Sequence, residues 1–231
     1  MLREIHIDPT KNRECWLAYL DLLGSSNLIE SGQWEKVFYI YAESLKHFQR
    51  DGFDAHLVSK NSFSDSFVLY TSDATNISYR AIDSFVRYFI ISLINREIPI
   101  RGAMSFGQLY SDTENNLFFG QALLEAYRVG ENQDWLGFVL CESAVSQLEK
   151  VGLPANERLN YASWSIPIKQ GRECNQTKAP LLPAFIMEGG HGLCLPAIQR
   201  MQAAATSPSV RQKYTNTLNF LSKNQRSTMQ P

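Results

Sequence analysis

The chain has 231 residues, 44% of them hydrophobic and 19% charged. That suits one domain with a long elaboration or two small ones, and it excludes wholesale disorder. Lys and Arg together number 22 and Asp and Glu 23, for a formal net charge of −1, so the chain is not a general coat for DNA or RNA.

In chain order, residues 15–23 are an apolar run with one acid, Asp21, bounded by Gly24-Ser25-Ser26-Asn27. This predicts a buried strand ending near Asp21. Residues 34–48 place Val37, Phe38, Tyr41, Leu45 and Phe48 at steps of three and four, the spacing of a helix. Residues 56–58 and 63–70 read as two short strands joined by a polar turn, with Asp65 at or near it. A helix follows over 77–96, with Ile82, Phe85, Val86, Phe89, Ile90 and Leu93 on its inner face. Residues 98–110 predict a strand in which Gly102 and Gly107 mark close packing or a bulge. Phe118-Phe119-Gly120 precede a helix over 121–129; a strand over 136–141 and a helix from Glu142 to before Gly152 follow. The alternation argues for an α+β layer sandwich with a mostly antiparallel sheet.

Beyond Gly152 a hairpin over 164–171 and 184–188 is expected, then helices over 196–205 and 210–221 and a frayed 222–231. The division read from this is an arm 1–14, a main domain 15–150, an extension 151–221 packed on the same domain, and a flexible tail 222–231. No signal peptide is visible at the N-terminus, and the most apolar window, 85–100, is broken by Arg87, Asn95, Arg96 and Glu97, so no membrane insertion is expected. Cys15, Cys141, Cys174 and Cys194 lack paired spacing, which disfavours a disulfide framework or zinc knuckle and makes a reducing cytoplasm the expected compartment.

Two acids stand out. Asp21 and Asp65 each sit at the mouth of an expected strand among apolar neighbours, where an unpaired carboxylate is costly. A hard cation such as Mg²⁺ or Mn²⁺ is one suitable partner; a helix end or a basic side chain is the other. Arg101 and Arg128 each present planar donors suited to phosphate, or serve as surface or ion-pair residues. Ser143 lacks a nucleophile-elbow context and reads as a helix cap.

Taken together in order, these positions resemble the class III nucleotide cyclase domain over residues 15–145. The first signature stands as Tyr19-Leu20-Asp21-Leu22-Leu23-Gly24 and the second as Phe63-Ser64-Asp65, with Ser64 where Gly is usual. The third is Arg101-Gly102-Ala103, its Gly one place early. In the fourth, Gly120 is followed by Leu124, where an Asn belongs, and by Arg128, which matches. The length, the base-reading positions and the C-terminal hairpin are most similar to the bacterial pyrimidine cyclases of Pycsar antiphage systems.

The resemblance implies a ferredoxin-like sandwich with helices on one face, plus a C-terminal hairpin and helices. Asp21 and Asp65, with the carbonyl of Leu22, would hold two divalent cations, Mn²⁺ or Mg²⁺. Backbone amides of Leu23, Gly24, Ser25 and the two residues after them would cradle phosphates. Arg101 would grip the triphosphate and Arg128 would steady the α-phosphate in the transition state. Leu124 leaves open a slower enzyme, a ribose held differently, or an inactive relative. Asn61 and Leu117 stand where adenylate cyclases carry a Lys and an Asp; Asn61 suits a uracil or cytosine edge, and the adjacent Lys60 tilts the choice to uracil. The implied reaction is UTP to cyclic UMP and pyrophosphate, with CTP the nearest competitor. A homodimer with two shared sites and a separate effector protein reading the product are implied as well. Three other readings stay open: a non-catalytic nucleotide-sensing module, a cyclase using CTP or a purine triphosphate, and a different two-metal phosphoryl-transfer enzyme.

Overall fold

The computed structural model describes residues 8–24, 55–153, 160–169, 180–187 and 194–224, together with the single positions 30, 32, 35, 38 and 42. Strand β1 (Asn12–Leu22) lies near the middle of the sheet and is buried at every residue from Cys15 onward. Successive side chains of a strand point to opposite faces. Trp16, Ala18, Leu20 and Leu22 accordingly enter one apolar cluster, while Cys15, Leu17 and Tyr19 enter a second. That two-sided burial is why the sequence reads as an unbroken apolar run rather than as an alternation.

β1 pairs antiparallel with β3 (Ser66–Thr71) on one side and with β4 (Ile100–Asp112) on the other; β2 (Val58–Phe63) pairs with β3 in a hairpin. β5 (Leu117–Phe119) pairs with the end of β4, and β6 (Phe138–Leu140) lies parallel to β4. β8 (Leu181–Phe185) joins β6 and carries β7 (Tyr161–Ser165) outside it, so the segment after Gly152 extends the same eight-stranded sheet. This is the mixed α+β architecture expected, with one parallel pair.

Helices with described bounds complete it: α1 (Asn76–Asn95), α2 (Gln121–Asn132), α3 (Glu142–Lys150), α4 (Cys194–Ala204) and α5 (Pro208–Asn224). The expectation of helices on one face only is corrected here. α1 covers the first cluster, with the Trp16 and Tyr79 rings 4.8 Å apart. α2 covers the second through Ala122 and Ala126, and Ser105 Oγ donates to the Ala122 carbonyl at 2.7 Å. A strand apolar on both faces needs an apolar cover on both, and α2 supplies the second one.

The approach of α2 depends on small residues. A Cβ on Gly130 would lie 2.9 Å from Tyr19 Cδ1 and 3.7 Å from the Gly102 Cα. α4 and α5 close the first cluster with Ala197, Ile198, Phe220 and Leu221, and Thr217 Oγ1 accepts from the Leu136 amide at 2.9 Å.

Element bounds differ from the sequence reading in places. Residues 55–57 form a short 3-10 turn, and the strand begins only at Val58. The C-terminal hairpin starts earlier, at Tyr161 and Leu181, and Asn12–Glu14 of the expected arm are already paired in β1. The helix expected over 34–48 lies outside the described residues except at Glu35, Phe38 and Ala42, which are helical. Cys15, Cys141 and Cys194 are buried free thiols; Cys174 lies outside the described residues. Among the described residues no helix is long and apolar enough to cross a membrane.

One buried polar contact fastens the added strands to the core helix. Tyr161 Oη donates to Asp83 Oδ1 at 2.6 Å, and Arg87 Nε donates to Asp83 Oδ2 at 2.8 Å. Tyr161→Phe removes a hydrogen bond to a charged group and is expected to lower stability by about 1.5–3 kcal/mol. Urea denaturation of the two proteins, compared at equal m-value, measures it.

Candidate functional site

The sheet register puts Asp21 directly opposite Arg101 on β4 and opposite Ser66 on β3. Arg101 is only 3% exposed and Asp21 7%. A buried guanidinium needs an acceptor for each of its five N–H groups. Arg101 has them all. Nε and Nη2 both donate to Asp21 Oδ2, at 2.9 and 2.7 Å. The second Nη2 hydrogen goes to Glu131 Oε1 at 2.9 Å, and Nη1 reaches the carbonyls of Glu131 and Gln133 at 2.8 and 2.9 Å. Tyr19 Oη also donates to Glu131 Oε1, at 3.3 Å, and Lys169 Nζ lies 3.6 Å from Glu131 Oε2.

This corrects the expectation that Arg101 grips a triphosphate: none of its N–H groups is left for an outside ligand. The Gly of its signature stands one place early, and along a strand one place is the difference between faces. The side chain therefore points at Asp21 and at the end of α2.

One cation thus sits between two carboxylates. Burial pushes the Asp21 carboxyl up to about 6, with Arg101 offsetting the rise only in part and Glu131 adding to it. Burial acts on Glu131 in the same direction, but the charges of Arg101 and Lys169 outweigh it and hold that carboxyl below the usual glutamate value. The sequence reading missed Glu131. The expected helix ended at 129, before this acid, and the residues it serves lie 30 and 112 positions away.

Asp65 occupies the two-residue turn of the β2–β3 hairpin, between the paired Phe63 and Ser66. The amide of Leu22 donates to the Asp65 carbonyl at 3.0 Å, which docks the turn on the end of β1. Asp21 and Asp65 therefore stand at neighbouring positions, as Asp21 pairs with the residue after Asp65. Ser64 has φ of 54°, a left-handed conformation that favours glycine.

The proposed phosphate cradle is only partly available. The Leu23 amide is committed to the Pro99 carbonyl at 2.9 Å, which removes that residue as a phosphate donor. Gly24 takes φ of 75°, and Ser25 lies outside the described residues. Asn61 pairs with Val68, which in turn pairs with Tyr19, so the three share the face of Asp21. Asn61 Nδ2 is buried and has no hydrogen-bond partner among the described residues. Lys60 points the other way, with Nζ 5.7 Å from the centre of the Phe85 ring, because adjacent strand residues face opposite sides. It cannot act beside Asn61 as expected.

Arg128 lies on the exposed side of α2, one turn from the half-exposed Leu124. Both line a groove of about 420 Å³ shared with Val129, Ile166 and Leu182. Ser143 is not the helix cap; Cys141 holds that position in α3. The Ser143 hydroxyl instead donates to Glu125 Oε2 and accepts from the Phe106 amide.

As a cation site the arrangement has hard donors only. Among the described residues no group of three or more His, Cys, Asp or Glu is placed to hold a metal. Two carboxylates and a nearby main-chain oxygen fit Mg²⁺ or Mn²⁺ when substrate phosphates supply the remaining ligands.

No protein-family model matches the sequence, and a comparison with curated proteins gives no match. Solved structures do match. A Trypanosoma brucei adenylate cyclase in its monomeric state superposes with a TM-score of 0.54 at 10% identity, covering 81% of this chain and 95% of that one. The catalytic core of a rhodopsin-guanylyl cyclase with converted specificity, in complex with ATPαS, gives 0.52 at 12% identity, over 75% and 96%. A second Trypanosoma brucei adenylate cyclase structure gives 0.50 at 11%, over 78% and 89%. The chain has the fold of class III nucleotide cyclase domains.

The hairpin turn that carries Asp65 gives a direct test of its backbone. Ser64→Gly relieves a left-handed conformation that costs a residue with a Cβ, and it is expected to raise stability by about 0.5–1 kcal/mol, read as a higher midpoint in thermal unfolding.

Proposed function

We propose that this chain is a nucleoside-triphosphate cyclase that converts UTP to cyclic UMP and pyrophosphate. The observation that carries the reading is the placement of Asp21 and Asp65 at adjoining strand and hairpin positions on a cyclase-type sheet. Divalent cations bound there would acidify the ribose 3′-hydroxyl and offset charge on the triphosphate. Asp21 and Asp65 orient them; Asp21 is itself fixed through Oδ2. Attack of the 3′-oxygen on the α-phosphorus closes the ring and releases pyrophosphate.

The buried, unpartnered Asn61 Nδ2 supports the choice of base. A carbonyl of uracil satisfies such a donor, as do O2 of cytosine and O6 of guanine, whereas adenine has no carbonyl to offer it. Arg128 is exposed on α2 at a groove that Gln133 and Leu182 also line, and we place it across a site shared between two copies of the chain, where it would steady the α-phosphate held by the partner's acids. We further propose that the product is a messenger read by a separate effector, as in antiphage defence.

A second reading has its own support. Leu124 offers no amide to the ribose, and Arg101 has no free donor, both of which favour a cyclase-like module that binds a nucleotide without turning it over.

Incubation of the purified protein with equal concentrations of the four triphosphates and Mn²⁺, resolved by chromatography, decides between them. Cyclic UMP is expected to dominate, and Asp21→Asn, which keeps an acceptor for Arg101, and Asp65→Ala are each expected to abolish it while remaining folded. A dominant cyclic AMP or cyclic GMP peak overturns the base assignment; triphosphate binding by calorimetry without pyrophosphate release supports the sensing module.

The shared site is tested by mixing. Asp65→Ala and Arg128→Ala are expected to be inactive alone and, after subunit exchange, to recover up to about a quarter of wild-type activity, since half the dimers are mixed and each has one intact site. Proven exchange with no recovery places both residues in one chain's site.

A further inference from the structure

We infer that Glu131 is a positioning residue for Asp21: by sharing the charge and the hydrogen bonds of Arg101, it leaves Asp21 able to hold a cation. The inference rests on the reading of Asp21 as a cation ligand and goes beyond it, to a residue on a different element.

An arginine that meets a carboxylate alone takes both oxygens in a parallel fork and neutralises it. Arg101 does not do this. Nε and Nη2 converge on one oxygen, Oδ2, of Asp21. The other Nη2 hydrogen is drawn off by Glu131 Oε1, and both Nη1 hydrogens are drawn off by the carbonyls of Glu131 and Gln133. The guanidinium is thus anchored at the end of α2 and meets Asp21 from one side only.

The charges follow the same pattern. One buried cation stands between two carboxylates, so the Asp21–Arg101–Glu131 group carries a net negative charge beside Asp21. Lys169, 3.6 Å from the far oxygen of Glu131, moderates that charge from the side away from Arg101. If Glu131 lost its charge, Arg101 and Asp21 would be left as a balanced ion pair, and a metal ion would have to compete with the guanidinium for the carboxylate. Outer groups of this kind typically change metal affinity about 10–100-fold.

Mn²⁺ binding to the whole chain without nucleotide, followed by electron paramagnetic resonance of the free ion, reads this directly. Asp21→Ala is the reference, and wild type must bind more tightly than it. Glu131→Gln keeps an acceptor for Arg101 and removes only the charge; it is expected to weaken Mn²⁺ binding about tenfold with an unchanged thermal midpoint. Lys169→Met is expected to move the other way, tightening binding about two- to threefold, which no loss of structure would do. In turnover, Glu131→Gln is expected to raise the Mn²⁺ concentration for half-maximal rate and leave KM for the triphosphate unchanged. The inference is overturned if Glu131→Gln binds Mn²⁺ as wild type does, or if Lys169→Met weakens binding. If Glu131→Gln does not fold, the sign of the Lys169→Met effect decides. If Asp21→Ala binds as well as wild type, the cation reading of Asp21 itself fails, and the inference with it.

Discussion

A guanidinium buried in a protein has to find an acceptor for every N–H it carries, and the half of this molecule around Arg101 is built on that requirement. Its five hydrogen bonds reach β1 through Asp21, the side chain and main chain of Glu131 at the end of α2, and the loop residue Gln133 that follows. Three segments distant in sequence are thereby held at one point. Removing any partner would strand a charge where water cannot replace it, so the arrangement is rigid. The same saturation decides what the arginine cannot do, which is to bind anything from outside.

The close approach of α2 to the sheet makes this network possible. Gly130 leaves room for it, since a Cβ there would press on the Tyr19 ring. With α2 against the second face, β1 is sealed on both sides, and Asp21 is only 7% exposed. There the β2–β3 turn docks through the Leu22 amide and brings up Asp65. The pair of acids is therefore a product of strand register and of one two-residue turn.

Charge is distributed unevenly around that point. The acid on β1 is buried and shares its cation with Glu131, while Arg128, three residues earlier on the same helix as Glu131, stands in the open by the groove beside β8. One helix thus holds an anion turned inward to Asp21 and a cation turned outward.

Much of the element order was legible in the residues. Period and turn chemistry marked β1, α1, the Asp65 hairpin and β4, because each depends on neighbours within a few positions. The apolar run of 15–23 was read as buried, yet it could not say that two helical layers covered it, since a run gives the amount of burial and not its source. The same limit explains the side chains. Lys60 beside Asn61 looks available in sequence, but the pleat sends it to Phe85. Arg101 looked like a phosphate ligand until the register set it against Asp21, 80 positions away. The sequence by itself determined which residues alternate, where the chain turns and which acids end the strands, for those follow from local geometry. Only the tertiary structure decided which face each charge shares and with whom, because a buried charge takes its meaning from partners that the fold, and not the chain, brings within hydrogen-bond distance.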